Sequence, residues 1–139
     1  MISLQLARQL KDAGLKWQPA INDFFVIPDR GMDERVFVIS DLLATLEILH
    51  GQEVVAFQGA SEWALDDLGT GELIWLPRED QIRQALEAAL LERGQMAFRL
   101  DCDLQGCRCS IKSQNQLLTF RSSQAEEAYA ATLIYLLEQ

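Results

Sequence analysis

Apolar and polar positions follow two different periods along this chain, and the changes of period divide it into elements. Between Ser3 and Ala13, Leu6, Leu10 and Ala13 share one face while Arg8, Gln9, Lys11 and Asp12 take the other, which is the spacing of an amphipathic helix. Gly14 supplies a left-handed stop, with Leu15 placed to meet Leu10 across the helix end. Trp17 and Pro19 then impose an extended connection that is expected to lie over the core. From Asp23 to Phe57 the pattern becomes that of strands. FFVI at 24–27 and RVFVI at 35–39 are aromatic and β-branched, and PDRGMDE between them is a charged turn, so a hairpin is expected.

The stretch 42–49 fits two elements. Leu42, Leu43, Leu46 and Leu49 would make a helical stripe, whereas Thr45 to Leu49 alternates into EVVAF beyond the His50–Gly51 turn, and the strand is the reading adopted. Ser61 is placed to cap a short helix through Leu68 with Trp63 inward, and Gly69 and Gly71 release the chain. LIWLP at 73–77 reads as a short strand. Pro77 suits the first turn of a long helix whose buried stripe is Ile82, Ala85, Leu86, Ala89 and Leu90, ending at Arg93 and Gly94. Three strands follow: MAFRLDC, CRCSIK and QLLTFR. Met96, Phe98, Leu100 and Cys102 fall on one face of the first, and Cys107, Cys109 and Ile111 on one face of the second. The last helix opens on Ser123 and Glu126 at capping-box spacing and turns Ala125, Tyr129, Thr132, Leu133, Leu136 and Leu137 inward.

These elements predict an α+β fold, mainly antiparallel sheet bordered by three main helices. It is expected as a single domain over 1–139, with a minor subdivision near 69–71 as the least costly boundary. A doubly wound parallel sheet is disfavoured, because the last three strands occur consecutively with no helix between them. The expected core includes Leu6, Leu10, Phe25, Val36, Val38, Val55, Phe57, Trp75, Ile82, Leu86, Phe98, Leu100, Tyr129, Leu133 and Leu136.

Composition narrows the partners. At 49% apolar and 24% charged the chain resembles an ordinary globular protein and departs from the profile of disorder. A net charge of -9 disfavours non-specific binding to nucleic acid or to an anionic membrane, both of which need a cationic surface. No apolar run approaches the roughly 18 residues of a membrane span, and the amino-terminal pattern is amphipathic, so the cytoplasm is the simplest location. Three clustered cysteines do not form a secreted disulfide framework.

Candidate chemistry is sparse. Cys102, Cys107 and Cys109 supply three thiols, but a zinc site needs a fourth ligand, and all three fall on the apolar face where cysteine packs as a small hydrophobe. His50 is the sole histidine and sits beside Gly51 in an exposed turn. Asp29, Asp33 and Glu34 share one loop and Asp66 and Asp67 another, while Asp101 and Asp103 alternate away from the core. Arg78 and Glu79 before a helix invite comparison with nucleotide pyrophosphatases, yet Gln81, Arg83 and Gln84 stand where an acidic cluster would hold metal. There is no phosphate-binding glycine loop and no serine nucleophile elbow. Trp17, Trp63 and Trp75 adjoin apolar residues and fill a core or its rim. Ile134 and Tyr135 lie off the inward stripe of the last helix and are free to contribute to an oligomer or partner surface.

LKWQP, DFFVIPD, VFVISD, EWALDDL and IWLPREDQIRQAL together resemble a family of small uncharacterised bacterial proteins, some automatically labelled pilus-assembly proteins. The resemblance covers approximately Leu6 to Leu86, and EWALD followed by WLPREDQ is its most specific part. The closing EEAYAATLIYLLEQ resembles, more weakly, the last helix of small phage-associated proteins. The family resemblance implies an α+β fold and carries no catalytic residues. Pilus-localisation ATPases need a nucleotide-binding loop and a larger α/β domain, neither of which is written here.

The functional expectation is a non-enzymatic cytoplasmic accessory or protein-binding module without a cofactor, with Trp17, Trp63, Ile134 and Tyr135 as candidate binding residues. A metal-assisted hydrolase using Asp29, Asp33 and Asp66, and a structural thiol-metal protein using the three cysteines, are the alternatives. A monomer or weak homodimer is expected, with Ile134 and Tyr135 at the homotypic surface.

Overall fold

The computed structural model describes residues 1–40, 44–57 and 67–139. Among these the chain has an α+β fold, with three α-helices and three antiparallel three-stranded sheets. Two compact units divide them: Met1–Leu15 with Arg78–Gln139, and Lys16–Pro77.

The first unit begins with α1 (Leu4–Asp12), where Ser3 Oγ accepts from Leu6 N at 3.1 Å and so satisfies one of the free donors of the first turn. At its other end Gly14 has φ 108, and the amides of Gly14 and Leu15 donate to the carbonyls of Lys11 and Leu10, both at 3.0 Å. This paired closure is the Schellman arrangement expected there. Helix α2 (Glu79–Glu92) ends the same way, with Gly94 and Gln95 donating to Leu91 and Leu90. Pro77 stands outside this helix rather than in its first turn. Arg78 is the N-cap, and its amide donates to Gln81 Oε1 at 2.9 Å. The buried face of α2 is Ile82, Leu86, Ala89 and Leu90, within the expected stripe.

Strands β7 (Arg99–Asp103), β8 (Gly106–Ser113) and β9 (Gln116–Ser122) form the sheet of this unit in the order β7-β8-β9. Cys107, Cys109 and Ile111 alternate inward on β8. Helix α3 (Ala125–Leu137) packs on β8, β9, α1 and α2. Its neighbours on several sides explain why Ala128 and Ala130 are buried along with Tyr129, Thr132, Leu133 and Leu136, a broader buried surface than the expected stripe. The expected capping box also fails. The N-cap is Gln124, the Ser123 hydroxyl donates to Glu127 Oε2 at 3.1 Å, and Glu126 instead receives the amino-terminal ammonium of Met1 at 2.6 Å. Arg93 donates to Ala89 O and to Leu136 O, tying a cation to the carboxyl ends of α2 and α3.

The second unit contains two sheets. In one, β1 (Phe24–Val26) lies between β2 (Phe37–Val38) and β6 (Ile74–Leu76). In the other, β3 (Ala44–Leu49), β4 (Gln52–Phe57) and β5 (Asp67–Gly69) run in order. The strand chosen for 42–49 is therefore observed from Ala44 onward, and Asp67 and Leu68, expected to end a helix, belong to β5. The rest of that expected helix lies outside the described residues. His50 and Gly51 both have positive φ, 51 and 77, as a tight two-residue turn between β3 and β4 requires.

Phe25, Ile27, Ile39, Val55 and Leu73 form the core of this unit. Val36 and Val38, expected inside, are 48% and 40% exposed. The cause is phase: Phe37 pairs with Phe25, and its ring stacks 5.5 Å away, so the side chains on either side of it point outward. Trp17 lies over this core as expected, 6.2 Å from Trp75 in a stacked arrangement and 6.0 Å from Phe25. Asp23 holds it there. This buried carboxylate accepts from Trp17 Nε1 at 2.9 Å and from Ala20 N at 3.1 Å.

Candidate functional site

A concave surface in the first unit follows from an uneven sheet. β8 pairs with β9 through Ser113, but with β7 only as far as Ser110, opposite Arg99. The chain before β7 diverges. A groove of about 510 Å³ opens there, lined by Met96, Phe98, Arg99, Ile111, Lys112 and Leu117 among others.

Antiparallel ladders alternate between close and hydrogen-bonded pairs, and the 4.1 Å Cα separation of Cys102 and Cys107 marks a close one. Counting by twos, Ser110 is a hydrogen-bonded position toward β7 and Lys112 is the next. Lys112 has no ladder partner on that side, so its backbone N–H and C=O border the groove with their pairing capacity unspent. Gln95, also in the groove lining, has a buried Oε1 with no hydrogen-bond partner. Met96 and Leu117 stand at the groove 83% and 68% exposed, which is unusual for two large apolar side chains beside one depression. Arg99 is paired with Asp101 at 3.1 Å. The Lys112 ammonium has no ion-pair partner among the described residues.

Of the candidate residues singled out in the sequence, Asp101 lines the groove and the other described ones lie elsewhere. Trp17 is committed to the Trp75 stack and to Asp23. Trp63 and Asp66 lie outside the described residues. Ile134 and Tyr135 are half-buried, and the Tyr135 ring lies 5.5 Å from Phe120 of β9, an intramolecular contact. Asp29 and Asp33 are joined within their own loop, where Asp29 N donates to Asp33 Oδ1 at 3.1 Å. Among the described residues no group of three or more His, Cys, Asp or Glu side chains is gathered closely enough for a metal ion.

The cysteines require a correction. Cys102 is exposed instead of packed, and it is joined to Cys107 in a disulfide across the β7–β8 hairpin. Only Cys109 is a buried free thiol. Burial pushes its pKa up, with a side-chain hydrogen bond to Thr132 opposing the shift. Tyr129 is pushed up in the same way, chiefly by burial and then by the nearby charges of Cys109 and Glu79. Neither shift creates a nucleophile, since both favour the neutral form.

No family model, curated protein or solved structure matches the chain. No helix among the described residues is long and apolar enough to cross a membrane. The sequence pattern did contain one signal for the groove: Met96 opens the expected strand MAFRLDC, whereas β7 begins only at Arg99. Without the register, however, Met96 reads as part of one strand face.

Proposed function

We propose that this protein is a non-enzymatic accessory module that binds an extended segment of a partner protein in the groove beside β8. The observation that carries the reading is the open edge at Lys112, where backbone hydrogen-bonding groups stand next to exposed apolar side chains. Extended peptides recognise such places by completing the ladder with main-chain bonds and seating alternate side chains. Lys112, exposed and without an ion-pair partner among the described residues, favours an acidic residue nearby.

Magnitudes limit the affinity. Full burial of Met96 and Leu117 would contribute about 1.5–3 kcal/mol each, while a micromolar complex needs about 8 kcal/mol net of association costs. Main-chain pairing is therefore required as well, and the expected complex is transient. A displayed library of extended peptides, selected on the full chain, should return ligands that Met96→Glu and Leu117→Glu weaken by about tenfold or more at unchanged melting temperature. Ligands indifferent to both substitutions would remove the groove as the binding site.

A further inference from the structure

We propose that the Cys102–Cys107 bridge is a reversible thiol–disulfide exchange site, with low-molecular-weight thiols as its reaction partners and Cys102 as the sulfur they attack. Three features of its placement carry the inference. The two cysteines are register partners at the turn end of a hairpin and only five positions apart, so the bridge closes very little chain. The hairpin is held without it: β7 and β8 pair over five positions, β8 and β9 over seven, and Asp103 Oδ1 accepts from Gln105 N at 2.8 Å in the turn. Breaking the bridge therefore costs little structure. Access is also one-sided, because Cys102 is exposed whereas Cys107 is 8% exposed on the inward face of β8.

Exchange proceeds by in-line attack of a thiolate on one sulfur with departure of the other. The incoming thiolate bonds to Cys102 Sγ, the S–S bond breaks, and Cys107 leaves as a thiolate that takes up a proton. A second thiolate then attacks the external sulfur of the mixed disulfide, releasing the small-molecule disulfide and the Cys102 thiolate, which is protonated in turn. The net change is one protein disulfide and two thiols converted to one protein dithiol and one external disulfide, with two electrons transferred. Cys109 stays outside this cycle. It is buried, and its raised pKa keeps it a neutral thiol, which is a poor nucleophile.

The test uses the full chain and glutathione. In native buffer, titration with reduced glutathione followed by acid quench, alkylation and intact-mass analysis should convert a protein with one alkylatable thiol into one with three, while the far-ultraviolet circular dichroism stays unchanged. Oxidised glutathione should then restore the bridge. Cys107→Ser exposed to oxidised glutathione should carry a single adduct, mapped to Cys102 by peptide analysis, and Cys102→Ser should carry none at Cys107. A bridge that yields to glutathione only in denaturant, a chain that loses its folded spectrum on reduction, or an adduct mapped to Cys107 would each overturn the proposal. So would three free thiols in the air-oxidised protein.

Discussion

The unit of residues 1–15 and 78–139 and the unit of residues 16–77 reach stability by different routes. In the first, α1 and α2 end on the same glycine closure, α1 also begins on a serine cap, and α3 has neighbours on several sides. Its sheet is a meander of consecutive strands, so each pairing partner is close in sequence. In the second, β1 lies between β2 and the distant β6, and a row of aromatic rings with one buried carboxylate holds the connection after α1. Both units combine local and distant contacts: the first closes its helices locally and packs α1 on α3, while the second pairs one meander locally and its other sheet across the distant β6.

Large core truncations give the sharpest test of this contrast. Leu133→Ala in α3 should cost about 2–5 kcal/mol and Phe25→Ala in β1 about 3–5 kcal/mol, measured by denaturant unfolding. The fall in amide-exchange protection should centre on the unit that carries each substitution. Equal loss in both units from either change would erase the distinction.

A smaller effect is expected at the carboxylate. Asp23→Ala leaves the Trp17 indole N–H and the Ala20 amide without their acceptor, a loss of about 1–3 kcal/mol, and tryptophan emission should shift to the red as Trp17 loosens. Unchanged emission would mean that the aromatic stack holds Trp17 alone. In the other unit, Ser3→Ala removes only a helix cap and should cost about 1 kcal/mol, read as a modest fall in denaturation midpoint with the spectrum of the folded state intact.

The smallest effect concerns alkali. Cys109 and Tyr129 have folded pKa values raised by burial, so their stabilising contribution is complete below the unfolded values and is lost as pH rises through the folded ones. Unfolding free energy should therefore begin to decline above about pH 8.5, the ordinary thiol value. Cys109→Ala should reduce that slope and leave the part due to Tyr129. A slope identical in the variant would show that the Cys109 thiol does not contribute.

How far each region could be read in advance follows the same division. The stops at Gly14 and Gly94 depend on bonds within a few residues, and the inward face of α2 follows its own helical period; all stand where the pattern places them. Val36 and Val38 face away from the core they were expected to join, because a two-residue strand carries too little alternation to set its own phase, and the pairing of Phe37 with Phe25 sets it instead. Ser123 missed its capping role because the helix begins one residue later and Glu126 is taken by the amino terminus.

The candidate sites were the least readable. Cys102 and Cys107 were visible as residues of one apolar face, yet their bond requires the register that puts them opposite each other. The groove at Lys112 requires the place where β7 stops following β8. By itself, the sequence determined the fold class and the sites of helix termination, because capping and amphipathic spacing are satisfied locally. Tertiary structure decided which apolar residues are buried, which thiols meet and where a strand edge is left open, because each depends on the relative placement of segments that do not adjoin in sequence.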